Sequence, residues 1–110
     1  LIMPDGDKII GTSSYGASRF ADRNDYGEII SLYLLPEYFG KGYGKQLLQV
    51  TVDGLIQMGY KDIFLWVLEA NAKARNFYER FGFEASDAYL DDDIGGKKVR
   101  EIQYLLHVGQ

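Results

Sequence analysis

One stretch has the residue types and spacing that chemistry needs: E-I-I-S-L-Y-L-L-P-E-Y-F-G-K-G-Y-G-K, from Glu28 to Lys45. An apolar run ends at Pro36, and a glycine-rich turn then opens into an amphipathic segment. That order builds an anion cradle. Glycines let backbone N–H groups converge without Cβ clashes, and the first turn of a helix has unpaired donors. A phosphate-bearing cofactor is therefore expected on Gly40, Lys41, Gly42, Tyr43, Gly44 and Lys45. Two familiar cradles are excluded. A P-loop, G-x-x-x-x-G-K-[ST], would need glycine at Phe39 and Ser or Thr at Gln46. The dinucleotide pattern G-x-G-x-x-G would need glycine at Lys45 or at Leu47.

Other chemistries are closed off by composition. The 110 residues contain no cysteine, which removes disulfides, thiolate nucleophiles and zinc–thiolate sites, and the lone histidine, His107, cannot form an imidazole metal cluster. Asp91, Asp92 and Asp93 lack the spacing of a calcium loop and read as a solvated turn. No metal is expected. The net charge of −4 argues against a nucleic-acid surface and mildly favours cationic substrates. No apolar run reaches the ~18 residues of a membrane span, no signal peptide is read, and a cytoplasmic protein is the expectation.

The elements that must position the cradle follow from periodicity. Residues 1–110 are expected to form one small domain of mixed α/β class, hiding about 60–70 % of its unfolded surface. Leu1–Met3 ends one strand, Pro4–Asp7 turns, and Lys8–Tyr15 returns, with a continuation toward Phe20. Ala21–Gly27 is a polar loop. Glu28–Leu35 is apolar on both faces apart from Ser31 and should be a central strand. A helix from about Gly42 to Met58 shows Leu47, Leu48, Thr51, Val52, Leu55 and Ile56 at i, i+3, i+4 spacing, and Gly59 closes it. Gly54 should weaken that helix by about 1 kcal/mol relative to alanine. Asp62–Leu68 is a second buried strand, which makes Glu28–Leu68 a βαβ unit with parallel strands and a right-handed crossover. Asn71 caps a second helix, Ala72–Phe81, with Ala74, Phe77, Tyr78 and Phe81 inside and Gly82 at its end. Phe83–Tyr89 and Val99–Val108 are strands joined by a turn over Asp91–Gly96. On the last strand Ile102, Tyr104, Leu106 and Val108 alternate with Glu101, Gln103, Leu105 and His107.

Two stretches resemble the signatures of the GNAT N-acyltransferases. In L-P-E-Y-F-G-K-G-Y-G-K, Gly42 and Gly44 match the glycines of [QR]-x-x-G-x-[GA], and Leu34 and Pro36 match the preceding V-x-P; Phe39 departs at the Gln/Arg position. In N-A-K-A-R-N-F-Y-E-R-F-G-F, Asn71 to Phe83, every fixed position of N-x-x-A-x-x-x-Y-x-x-x-G-F is present. The resemblance covers nearly the whole chain. It implies the GNAT fold, with the strand and two helices that normally open it missing before Leu1. It also implies acetyl-CoA as co-substrate, with the pyrophosphate on Gly40–Lys45 beside Phe39. The pantetheine arm would pair with the main chain of Leu34, and Asn71 would touch the arm. Tyr78 is implied as the acid that protonates the leaving thiolate.

Glu28 falls on the position of the general base in the histone-acetylating branch of that family. At the start of a central strand it could be desolvated, which raises a carboxyl pKa. Strand alternation puts Glu28 and Leu34 on one face, and a bulge or a short water chain must then close the distance between them. With no cysteine, direct attack by a neutral amine in a ternary complex is simpler than an acyl-enzyme. The expectation is an N-acetyltransferase acting on a small-molecule or peptide amine, with no nucleic-acid or membrane partner and a homodimer left open. The alternatives are a non-catalytic acyl-CoA-binding sensor or interaction module, and a different donor such as succinyl-CoA.

Overall fold

The computed structural model describes residues 1–20 and 23–108. Its elements follow the order β1 (Ile2–Asp5), β2 (Lys8–Ala17), β3 (Gly27–Leu34), a 3₁₀ turn (Pro36–Tyr38), α1 (Tyr43–Gln57), β4 (Asp62–Leu68), α2 (Ala72–Phe81), β5 (Glu84–Ile94) and β6 (Lys97–His107). The strands form a six-stranded sheet in the order β1-β2-β3-β4-β6-β5. Only β3 and β4 run parallel; the other neighbours are antiparallel. The architecture is the expected mixed α+β one, with β3 central and α1 as the crossover to β4.

Both helices cover one face of the sheet. Leu48, Val52 and Leu55 of α1 meet Ile29 of β3, Ile63, Leu65 and Val67 of β4, and Tyr104 of β6. This is the 3.6-residue stripe of α1 set against inward positions of strands with period two. Ile56, read as part of the stripe, is instead 43 % exposed at its edge. From α2, Ala74, Phe77, Tyr78 and Phe81 reach the same core but stay only partly buried. Asn71 accepts from the Ala74 N–H at 3.2 Å and caps α2 as expected, and Gly82 at φ 127° ends it.

The strand boundaries needed correction in three places. The first hairpin turns on Gly6 and Asp7 alone, with Pro4 inside β1 at a register shift, where its missing N–H is tolerated. β2 stops at Ala17 rather than running to Phe20, because the Ser18 hydroxyl captures the Phe20 N–H at 3.0 Å and bends the chain. Residues 21 and 22 of the expected loop Ala21–Gly27 lie outside the described residues. Asp91, Asp92 and Asp93 belong to β5, not to a turn. Gly95 and Gly96, at φ 60° and 80°, supply the two left-handed residues of a two-residue hairpin. Across that hairpin Asp91 pairs with Arg100 at 2.7 Å, and Arg100 lies 3.9 Å from the Tyr89 ring centre.

Candidate functional site

The parallel ladder that holds the two halves of the sheet together is short. It comprises Gly27 beside Ile63 and Glu28 beside Phe64, and past Glu28 the strands splay. The direction of the exposed main chain follows from one hydrogen bond. The Leu35 N–H donates to Ile10 of β2 at 2.8 Å. Backbone groups alternate along a strand, so Leu32 and Leu34 turn their N–H and C=O groups away from β2, into the splay. Leu34 was expected there; Leu32 was missed, and alternation back from Leu34 would have found it.

At the far end of the splay, Gly40 and Gly42 adopt φ 74° and 87°, the left-handed region that glycine enters freely. Gly42 is the N-cap of α1, with no side chain to cap the helix. The first intrahelical N–H bond belongs to Gln46, which donates to Gly42 at 3.2 Å. The donors of Tyr43, Gly44 and Lys45 precede it, where a helix presents unpaired N–H groups and partial positive charge.

Cradle, splay and second helix meet in one cavity of about 760 Å³. Its lining includes Leu34, Phe39, Gly40, Gly42, Gly44, Lys45, Asn71 and Tyr78 among the residues singled out from sequence. Lys41 and Tyr43 are not part of the lining; the Tyr43 ring packs edge-on against Tyr38 at 5.5 Å. Lys73 and Arg80 on α2 also line it and were missed. They sit at i and i+7 around Phe77 on one helical face, a spacing visible in the sequence. Gly44 needs no special backbone angle, but Phe77 stands 3.5 Å from where its Cβ would be, so a larger side chain would crowd the cavity wall.

The donor set fits a phosphorylated ligand with a long polar arm: helix N-terminal amides and Lys45 from α1, strand-edge amides from β3, and Lys73 and Arg80 spaced along α2. Tyr78 also lines the cavity, its ring 5.2 Å from Phe77 and 5.8 Å from Phe83. Burial pushes its pKa up from the usual 10.0, so the hydroxyl keeps its proton at neutral pH. The turn carrying Asn71 is clamped from behind. Arg75 donates to the Glu69 carbonyl at 3.2 Å and to the Tyr104 hydroxyl at 2.9 Å, and Tyr104 donates to Glu79 at 2.6 Å.

Glu28 does not join this cavity. Between Ser14 and Tyr15 of β2 the register steps from Ser31 to Ile29, so Ile30 is an extra residue in β3. The bulge occurs, but it inverts the alternation. Ile29 and Leu32 pack toward the α1 core, while Glu28 faces the other side of the sheet, opposite to Leu34. The expectation of a shared face for Glu28 and Leu34 is thus corrected. The Glu28 side chain is fully buried, and it accepts from the Arg19 backbone N–H at 3.0 Å, from Nε at 3.2 Å and from the guanidinium at 2.7 Å. Nothing in the sequence spacing tied Arg19 to Glu28.

The acetyltransferase (GNAT) family model matches residues 1–83. This chain belongs to that family. Among its relatives, the uncharacterized N-acetyltransferase YuaI of Bacillus subtilis is 31 % identical over 96 residues, covering 86 % of this chain and 53 % of YuaI. The spermine/spermidine N(1)-acetyltransferase of the same organism is 31 % identical over 99 residues, 86 % of this chain and 62 % of that protein. The yncA structure from Salmonella typhimurium, solved with its cofactor acetyl-CoA, superposes with a TM-score of 0.84 at 21 % identity, over 99 % of this chain and 64 % of that one. The chain thus spans about half to two thirds of the length of these relatives. The GNAT fold read from the two signatures is the observed one. Among the described residues no helix is long and apolar enough to cross a membrane.

Proposed function

We propose that the protein is an acetyl-CoA-dependent N-acetyltransferase that serves a primary amine by direct attack in a ternary complex. The observation that carries this reading is that one cavity is lined by the α1 N-terminus, the splayed edge of β3 and Tyr78. When bound, acetyl-CoA supplies an activated acyl group as a thioester. Every other task falls to residues of this chain.

The amides opening α1, with Lys45 and the neighbouring Lys41, hold the pyrophosphate. Lys73 and Arg80 add positive charge along α2. Leu32 and Leu34 hydrogen-bond the pantetheine arm as an added half-strand, and one of their N–H groups polarises the thioester carbonyl. Phe39 and the free amide donors of Asn71 flank the arm. Tyr78 passes its proton to the departing sulfur. The remaining task is the amine proton, because an alkylamine is almost fully protonated at pH 7 with a pKa of about 10.4. Glu28 is the proposed acceptor of that proton, supported by its place on the last rung before the strands splay.

Relatives named for spermine/spermidine and for a ribosomal-protein alanine make alkylamines and peptide N-termini the first acceptors to try. Release of free CoA from acetyl-CoA across a panel of such amines tests the reading. Saturable release with at least one amine is expected. Tight acetyl-CoA binding with no release across the panel would favour the sensor, a reading supported by the engagement of both Glu28 oxygens with Arg19.

A further inference from the structure

The sheet face opposite the helices holds an acid–aromatic cage that a side chain of the protein itself now fills. Its floor is Glu28, whose side chain is completely buried. Phe20 is the ring beside the Arg19 guanidinium, and it is backed by Phe64 and Trp66, 6.0 and 5.5 Å away between ring centres. The occupant is the Arg19 guanidinium, held by both Glu28 oxygens and 5.8 Å from the Phe20 ring centre. The buried Trp66 indole N–H has no hydrogen-bond partner among the described residues. Glu28 stands beside Phe64 on the last rung before β3 and β4 part, so the cage sits where the splay begins.

The two halves of the ion pair are unequal. Arg19 lies past the end of β2, and its side chain is 56 % exposed. Water can take up its charge, so the cost of withdrawing it falls on Glu28. Glu28 has no such exit. A buried carboxylate stripped of its counter-ion is strongly disfavoured, so whatever displaces Arg19 must itself be a cation. The Phe20 ring beside the guanidinium adds cation–π attraction, which an anion would not gain.

We propose that this cage is the acceptor subsite, that it takes a primary alkylammonium or guanidinium group, and that Arg19 is a displaceable stand-in for the substrate cation. The proposal rests on the acetyltransferase reading for its purpose and removes that reading's main difficulty. Arriving acceptor replaces Arg19, and its ammonium then lies against Glu28, the group positioned to receive the proton. Arg19 becomes a specificity-determining residue: it sets the threshold a cation must pass, and neutral or acidic acceptors fail.

The test needs no acetyl-CoA. Trp66 is the only tryptophan in the chain, so its fluorescence reports on the cage. Wild type, Arg19→Ala and Arg19→Ala/Glu28→Gln are titrated with methylguanidinium, butylammonium and, as a neutral control, acetamide. The expected result is that Arg19→Ala binds both cations about tenfold or more tighter than wild type. The double variant and acetamide should give no response. Silence of Arg19→Ala up to about 50 mM cation, with CoA binding intact, would overturn the proposal. If Arg19→Ala does not fold, Arg19→Gln, which keeps a donor toward Glu28, replaces it in the same titration. Loss of fold in both makes Arg19 a structural counter-ion and also overturns it. A protein that transfers no acetyl group yet binds these cations in the cage would fail as an enzyme while keeping the subsite.

Discussion

Tyr78 is the residue on which the proposed chemistry turns, and its surroundings fit two roles. Its ring belongs to the aromatic edge of the core, beside Phe77 and Phe83. Tyr78 also lines the cavity, and burial raises its pKa above 10.0. Tyr78→Phe keeps the ring and removes the acid. The expected loss is about 10²–10⁴ in kcat with CoA affinity barely changed, measured by steady-state kinetics beside calorimetry. Wild-type turnover in the variant would leave Tyr78 as a packing residue. The pH dependence has a definite sign. A raised pKa means the folded state keeps the proton longer than the unfolded one. This group's contribution to stability is therefore complete below pH 10.0 and is lost as pH rises through its higher folded value. The activity limb due to Tyr78 should also appear only above that point. The proposed proton acceptor, Glu28, has its own test. Glu28→Gln should lower kcat/KM by about 10²-fold or more near neutral pH, with partial recovery at high pH where free amine is abundant. An unchanged acidic limb in that variant would instead assign the amine proton to ordered water.

At the scale of elements, α1 serves the site with one end and the core with its length. Gly42→Val should weaken CoA binding by about 3–6 kcal/mol, the value of two hydrogen bonds to a charged partner. The left-handed φ of 87° at Gly42 is closed to a β-branched side chain. Dephosphorylated pantetheine should lose far less affinity, and equal losses for both ligands would remove the phosphate cradle. Gly54 shows why helix propensity alone misleads. Alanine would normally gain about 1 kcal/mol in a helix interior. Here a Cβ would stand 2.4 Å from the Tyr15 hydroxyl oxygen and 2.7 Å from the ring carbon that bears it. Gly54→Ala is expected to be net destabilising by about 1 kcal/mol in urea unfolding, because overpacking outweighs propensity. In a Tyr15→Leu background the same change should become stabilising. The sequence showed α1, α2, the Asn71 cap and the βαβ unit because each rests on local periodicity and capping chemistry. It did not show the bulge, since Ile30 carries no glycine or other mark of an extra residue. The Arg19–Glu28 pair was hidden for a related reason: it depends on how β2 ends and which way β3 is turned. The Asp91–Asp93 run suggested a turn by composition, but the adjacent Gly95-Gly96 pair met the steric need alone.

Across the whole molecule, the sheet is two antiparallel halves, β1-β2-β3 and β4-β6-β5, joined along the rungs at Gly27 and Glu28. Beyond those rungs the halves are held by α1 and α2 packing over the same face. A ligand arm lying in the splay would act as a missing strand segment and stitch the halves together. Two consequences follow for the protein with CoA. Saturation at a hundredfold excess over Kd adds about 2.7 kcal/mol, which for a chain of this size should raise Tm by about 10 °C or more. Hydrogen exchange should carry a more specific signature. The amides of Leu32 and Leu34, turned into the splay, should slow on CoA addition. The Tyr33 amide, turned toward β2, should change little, and Tyr43, Gly44 and Lys45 should slow only with ligands that carry the pyrophosphate. Dephosphorylated pantetheine separates the two ends: it should protect Leu32 and Leu34 while leaving the start of α1 exchanging as in the free protein. Protection confined to the α1 N-terminus, with Leu32 and Leu34 unmoved by CoA, would mean that the arm does not enter the splay and that Leu32 and Leu34 have no part in holding the thioester.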